Sequence, residues 1–148
     1  MSWDIAYLAL NALVLPAWVL LIVLPRSGLT RQLVHSMLYP LVIGGIYLVS
    51  LGAAMAFGVS DPDAGMSSLS AVMSLFDHPN GIITGWSHYL AFDLFVGAWI
   101  ARDAARRGIG HLVTVPALLL SFSFGPLGLM TYALTGLIVR KPVWRLEQ

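Results

Sequence analysis

The chain has 148 residues, of which 58% are apolar and only 10% are charged, and its mean hydropathy is +0.82. A soluble domain of this size cannot bury so much apolar surface, so the composition predicts an integral membrane protein with a single domain over residues 1–148. The formal net charge of +1 argues against nucleic acid as a partner, and the lack of cysteine excludes disulfides and thiolate chemistry.

Four apolar stretches are long enough for a helix to cross the roughly 30 Å hydrocarbon core of a bilayer. They cover about residues 3–24, 33–57, 82–101 and 112–139. The predicted fold is therefore all-α, a polytopic bundle of four transmembrane helices. The fourth stretch contains Gly125-Pro126, which should tilt or kink it.

The longest polar segment runs from Val59 to Gly81, between the second and third stretches. Within it, Met66, Leu69, Met73 and Phe76 recur at helical spacing with serines between them. This pattern predicts a short helix on the membrane interface, although packing against the spans would give the same stripe.

Basic residues are more numerous in the first and third loops than in the C-terminal tail. The loops hold five, and the tail holds three: Arg26, Arg31, Arg102, Arg106 and Arg107 against Arg140, Lys141 and Arg145. The positive-inside rule then predicts cytoplasmic loops one and three, with both termini on the other side.

Asp93 is an acidic residue in the middle of the third span, where a carboxylate costs at least roughly 3 kcal/mol. It is predicted to be a proton donor or acceptor, and the alternative is a structural carboxyl that holds the bundle in register. Tyr89 lies one turn away, and Trp86 and Gly97 share the same helix face. A flat conjugated ligand would suit this face, although ordinary packing gives a similar stripe.

His88 lies five residues before Asp93, about 140° around an ideal helix. A direct pair is therefore not expected. Either His88 caps or packs, or it serves the site through water or a kink.

A second polar cluster is predicted at the other end of the bundle, from His35, Arg102, Asp103 and His111. Their spacings match no established metal signature, and interfacial charges usually pair or extend towards water. Neither a metal nor a cofactor is predicted.

The third span and the break in the fourth resemble a known family. Residues 85–97 read Gly-Trp-Ser-His-Tyr-Leu-Ala-Phe-Asp-Leu-Phe-Val-Gly and are followed by Trp99-Ile100 and Arg102-Asp103. This run resembles the core motif of the plant abscisic-acid-deficient-four family and its bacterial relatives. The later run Phe124-Gly125-Pro126-Leu127-Gly128-Leu129, with Tyr132, resembles the second motif of that family.

The resemblance implies a role in xanthophyll metabolism, because the plant members are needed to convert violaxanthin to neoxanthin. That isomerisation opens a ring epoxide and removes a nearby chain proton, so it needs an acid and a base but no redox cofactor. The implied catalytic residues are Asp93 as proton donor, His88 as base, and Tyr89. The predicted ligand-binding residues are Trp86, Phe92, Gly97, Trp99, Phe124, Gly125, Pro126 and Tyr132.

The leading hypothesis is thus a bilayer protein that binds a carotenoid or related isoprenoid between spans three and four, with isomerisation of that ligand as a further expectation. Unlike the plant members that it resembles, the sequence shows no transit region rich in Ser and Arg before the first span, so a bacterial inner membrane is the expected location. Two alternatives stay open. One is a non-catalytic membrane adaptor or assembly factor, in which Asp93 is structural. The other is a small proton-coupled transporter, in which Asp93 titrates and for which four spans are few unless the chain forms a homo-oligomer.

Overall fold

The computed structural model describes residues 2–141 and Val143. These residues form seven α-helices and one π-helical turn, with no strand among them, so the all-α prediction is confirmed. In chain order they are α1 (Trp3–Val23), α2 (Gly28–Thr30), the π-helical turn (Arg31–His35), α3 (Leu38–Phe57), α4 (Leu69–Ser74), α5 (Pro79–Arg106), α6 (His111–Phe124) and α7 (Pro126–Ile138).

The helices α1 and α5 run parallel to each other. At one end, the ring centroids of Trp3 and His78 are 5.8 Å apart. Further along, Gly97 of α5 is buried against Trp18 of α1, and a Cβ at Gly97 would lie 2.5 Å from the indole. Glycine at position 97 therefore lets the two helices approach closely.

The helix α3 runs antiparallel to α5. The side chain of Asn80, near the start of α5, donates to the carbonyl of Ser50, 2.8 Å away. At the other end of α5, Arg102 donates to the carbonyl of His35 at 3.3 Å. We call the end of the bundle that holds residues 58–78 the loop-two end, and the end that holds residues 24–37 and 107–110 the loop-three end.

The helices α6 and α7 form a tight antiparallel hairpin. The chain reverses at Gly125, whose φ of +46° favours glycine. In α7, Gly128 packs directly on the backbone of α6. An added Cβ there would clash with the amide of Ser121 and lie 2.5 Å from the carbonyl oxygen of Ala117.

Both ends of this hairpin lie at the loop-three end. His111, which begins α6, is 2.7 Å from the carbonyl of Ile22 at the end of α1. Lys141, just beyond α7, donates to the carbonyls of Arg107 and Gly108 at 2.7 and 3.0 Å. The tip of the hairpin therefore reaches only to the middle of α5.

The four-span arrangement is not confirmed. By length and composition, the described residues contain two helical stretches that suit a membrane crossing, Trp3–Val23 and Gly28–Phe57. With 14 and 13 residues, α6 and α7 are each about 20 Å long, which is short of a hydrocarbon core of about 30 Å. The break predicted at Gly125 is present, but the single tilted helix over 112–139 is wrong, because the chain turns back on itself.

Element boundaries also differ from the sequence prediction. The helix α5 begins before residue 82, since Pro79 occupies its first turn and His78 caps it by accepting from the amide of Asn80 at 3.0 Å. It continues past residue 101 to Arg106. The stretch 33–57 is interrupted by the π-helical turn and the left-handed Met37 (φ +72°). The predicted short helix between the second and third stretches is present as α4.

Charged residues divide between the two ends. The carboxylates of Asp4, Asp61, Asp63 and Asp77 belong to the loop-two end. The hairpin brings the tail back to the loop-three end, so the described basic residues all gather there: Arg26, Arg31, Arg102, Arg106, Arg107, Arg140 and Lys141. The sequence prediction placed the C-terminal tail on the side opposite loops one and three, and this is wrong for residues 140 and 141, which lie at the loop-three end. Arg145 lies outside the described residues.

Candidate functional site

Asp93 lies halfway along α5, at the tip of the α6–α7 hairpin, and is half-buried. Its carboxylate faces Gly125 so closely that an added Cβ would overlap Oδ1 and lie 3.1 Å from Cγ. Gly125 is the N-cap of α7, with Pro126 in the first turn. The positive end of the α7 macrodipole is therefore beside the carboxyl group, where it stabilises the anion that forms when Asp93 gives up a proton.

An aromatic groove runs along α5 from this tip towards the loop-two end. Trp86 donates from Nε1 to the side chain of Asn11 at 3.1 Å, and its ring lies 5.8 Å from that of Tyr7. Tyr89, one turn from Asp93 on the same helix, is 58% exposed. The aromatic groove consists of Tyr7, Asn11, Trp86, Tyr89 and Asp93, and Gly125 closes its lower end.

Asn11 was not singled out as a site residue from the sequence. Its side chain also donates to the carbonyl of Tyr7 at 2.8 Å, which fixes the oxygen towards Trp86. A polar residue in an apolar span was the available signal. Its partner, 75 positions away in the chain, was not visible.

His88 lies on a different face of α5. Its ring is 5.7 Å from that of Tyr47 on α3 and 4.8 Å from that of Phe92. It lines a cavity of about 250 Å³ between α3, α5 and residues 58–78. No hydrogen bond joins His88 to Asp93 among the described residues. They form no direct pair, as the spacing predicted.

The predicted ligand-binding residues do not form one surface. Gly97 is buried against α1, and the rings of Trp99 and Tyr132 meet edge to face, 5.7 Å apart, nearer the loop-three end. Phe92 and Phe124 are 58% and 64% exposed. Of the predicted set, Trp86, Gly125 and Pro126 adjoin the Asp93 carboxylate or its groove.

Asp103 anchors the returning arm of the hairpin. It is 2% exposed and accepts from Tyr132 at 2.7 Å, from Arg107 at 2.6 Å and from Arg106 at 2.9 Å. Burial alone would raise the pKa of Asp103. The hydrogen bonds from Arg107 and Tyr132 and the two arginine charges outweigh burial and hold that pKa below its ordinary value.

The other members of the predicted polar cluster point at backbone groups. His35 Nε2 is 3.1 Å from the carbonyl of Pro25, and His111 Nε2 binds the carbonyl of Ile22. Arg102 donates to the carbonyl of His35. Within the part of the chain that the structure describes, no three His, Asp or Glu side chains are placed to hold a metal ion.

The fold and site define an all-helical protein with membrane-type apolar helices and a carboxylate at the tip of a helical hairpin. The chain belongs to the ABA4-like (ABA DEFICIENT 4-like) family, whose model matches residues 5–132. That range runs from the first turn of α1 to Tyr132 in α7 and includes the hairpin tip, so the resemblance is confirmed. A search of curated proteins and a search of solved structures each found no match.

Proposed function

We propose that α1, α3 and α5 cross a bilayer and that the α6–α7 hairpin enters it from the loop-three end. Only 33% and 17% of the two apolar windows are buried within the protein, so most of their apolar side chains face outwards. A helical hairpin satisfies its own backbone hydrogen bonds and can end inside the bilayer against α5. At 28 residues, α5 is about 42 Å long, which exceeds the hydrocarbon core.

The positive-inside rule orients this arrangement. Among the described residues, seven Arg and Lys side chains lie at the loop-three end and none at the loop-two end. The loop-three end is therefore proposed to be cytoplasmic, in a bacterial inner membrane.

In this membrane orientation, the aromatic groove is proposed to bind a carotenoid or related isoprenoid. Trp86 and Tyr89 are 37% and 58% exposed, so in the proposed orientation an apolar ligand reaches them from the lipid without crossing water. The rings of Tyr7, Trp86 and Tyr89 offer flat surfaces for a conjugated chain. The observation that carries the proposal is the Asp93 carboxylate at the closed end of the groove, against Gly125.

The proposed chemistry is an acid-catalysed isomerisation. Protonated Asp93 donates to an epoxide oxygen as its C–O bond breaks, and a base takes a proton from a neighbouring carbon of the chain, whose C–H electron pair forms the new double bond. The proton given by Asp93 and the proton taken by the base balance. The product is an isomer, so no electrons are gained or lost. His88 faces α3 rather than the groove, and its assignment as the base is tested separately from that of Asp93.

The test begins with pigment extracted from the purified protein, followed by turnover of epoxidised and plain carotenoids. Asp93→Asn keeps the shape but removes the acid, so turnover should fall by about 100-fold with unchanged folding. The matched control is Asp77→Asn, an exposed carboxylate at the loop-two end. His88→Gln should lower turnover if His88 is the base and only stability if it packs.

A fully active, normally folded Asp93→Asn protein would rule out acid catalysis. The adaptor hypothesis would then be the better one, because it needs Asp93 only as a structural group. Pigment that is bound but never converted, by the wild type or by the variants, would indicate a carotenoid-binding protein without catalysis.

A further inference from the structure

A second cavity, of about 330 Å³, lies at the loop-three end, away from the aromatic groove. It is formed by the first loop, the π-helical turn, the end of α5 and the start of α6. Six basic side chains line it: Arg26, Arg31, His35, Arg102, Arg106 and His111. We call it the arginine cavity.

The arginine cavity has a large excess of positive charge. None of its lining residues is acidic. The nearby carboxylate of Asp103 is already occupied by Arg106, Arg107 and Tyr132. Within the described residues, Arg26, Arg31 and Arg102 form no ion pair.

One polar atom at this site lacks a partner. His35 lines the cavity, and its Nδ1 is buried without a hydrogen bond among the described residues, while Nε2 faces the carbonyl of Pro25. A buried polar atom without a partner costs free energy, which a bound polar group would recover. Because Nε2 donates to that carbonyl, Nδ1 of the neutral ring carries a lone pair, and it becomes a donor to an anionic oxygen only when the ring takes up a proton together with the anion.

The charged groups are of the type that recognises phosphate. A guanidinium presents a planar set of donors that binds two phosphate oxygens at once, whereas an ammonium acts as a point charge. Arg26 and Arg31 are exposed at the cavity mouth, and Arg102 is half-buried at its wall. The cavity is thus lined for a compact, multiply charged oxyanion.

The surroundings are apolar. Val23, Leu24, Leu29 and Leu112, next to the cavity in the chain, are each more than half exposed. In the proposed orientation the cavity lies at headgroup depth on the cytoplasmic side. Basic pockets between helices at this depth are suited to anionic lipid headgroups.

From these observations we infer that the arginine cavity binds a phosphate group, supplied by the headgroup of an anionic phospholipid or by a small phosphate in solution. This site is independent of the carotenoid proposal, since it shares no residue with the aromatic groove. Its failure would leave the role of Asp93 untouched.

The experiment uses the full chain and two probes. In the first arm, the protein is reconstituted in nanodiscs of equal parts phosphatidylglycerol and phosphatidylcholine, and native mass spectrometry counts the lipids retained. In the second arm, inorganic pyrophosphate is titrated into the protein in neutral detergent and the heat is measured. The test variant is Arg26→Gln with Arg31→Gln, and Arg140→Gln removes a charge at the same end outside the cavity lining.

The wild type and Arg140→Gln should bind one of the probes, and the double variant should bind it about 10-fold more weakly. Preferential retention of phosphatidylglycerol alone assigns the phosphate to a lipid, and heat from pyrophosphate assigns it to a soluble ligand. If the double variant does not fold, Arg31→Gln alone replaces it, since that side chain is exposed.

Two results would overturn the inference. One is a wild type that retains both lipids equally and takes up no pyrophosphate. The other is an equal loss of binding in Arg140→Gln and in the cavity variant, which would show that general surface charge, not the cavity, attracts the anion.

Discussion

The hydroxyl of Tyr132 in α7 donates to Oδ2 of Asp103 in α5 over 2.7 Å, with both residues buried. This bond joins the returning arm of the hairpin to the central helix. A hydrogen bond to a charged group contributes about 2 kcal/mol. Tyr132→Phe should therefore lower the free energy of unfolding by about that amount, measured by thermal unfolding in detergent. Tyr39→Phe, which removes a hydroxyl on α3, serves as the control, and equal losses in the two variants would contradict the role of the bond.

The same carboxylate makes stability depend on pH. The pKa of folded Asp103 lies below its ordinary value of 3.8, so its contribution to stability is complete above that value and is lost as the pH falls through the folded pKa. Wild-type stability should fall below about pH 5 more steeply than that of Asp103→Asn. Parallel unfolding curves for the two proteins would show that Asp103 does not supply this dependence.

The contact between Asp93 and Gly125 predicts a coupled pair of substitutions. Gly125→Ala places a Cβ in a left-handed conformation, which costs about 1–2 kcal/mol, and also against Oδ1 of Asp93. The Asp93→Ala substitution removes the carboxylate, so the clash between it and the added Cβ no longer lowers stability. The double variant should therefore be more stable than the sum of the single changes predicts, as measured by a double-mutant cycle. Additive effects would mean that the two groups are not in contact.

The hairpin makes a prediction about sidedness. The chain has no native cysteine, and Ser67, Ala105 and Arg140 are exposed, so each can be replaced by a single cysteine for labelling. The cysteines at 105 and 140 should react with an impermeant reagent from one side of the membrane, and the cysteine at 67 from the other. A straight fourth span would instead make residues 67 and 140 react together. Labelling in right-side-out and inverted vesicles distinguishes the two arrangements.

The sequence predicted the location of Asp93 well, because one carboxylate in an apolar run is visible without any structure. It did not predict the reversal at Gly125. Hydropathy is the same for a kinked span and for two half-length helices. The hairpin, as opposed to one kinked span, depends on the contact of Gly128 with the backbone of Ser121, which composition cannot show.

The sequence also did not predict which residues contact the proposed site residues. Tyr132 was expected to bind a ligand, but it bonds to Asp103, 29 positions earlier in the chain. Phe92 and Trp86 were both expected to bind the ligand, and the structure places them on different faces of α5. Pairings between distant positions follow from how the helices pack, and the hairpin, which sets much of that packing, was itself missed.

The separation of charges bears on how the chain enters a membrane. In the proposed orientation, the part between the helices that must be carried outwards is residues 58–78, which contains Asp61, Asp63 and Asp77 but no Lys or Arg. In this orientation the α6–α7 hairpin enters the bilayer from the loop-three end and returns to the same end, so Arg140 and Lys141 do not cross the hydrocarbon core. A membrane potential that is negative inside favours outward movement of each carboxylate by about 2.3 kcal/mol per 100 mV. The membrane potential thus favours transfer of residues 58–78 to the outer side and opposes transfer of the Arg and Lys side chains.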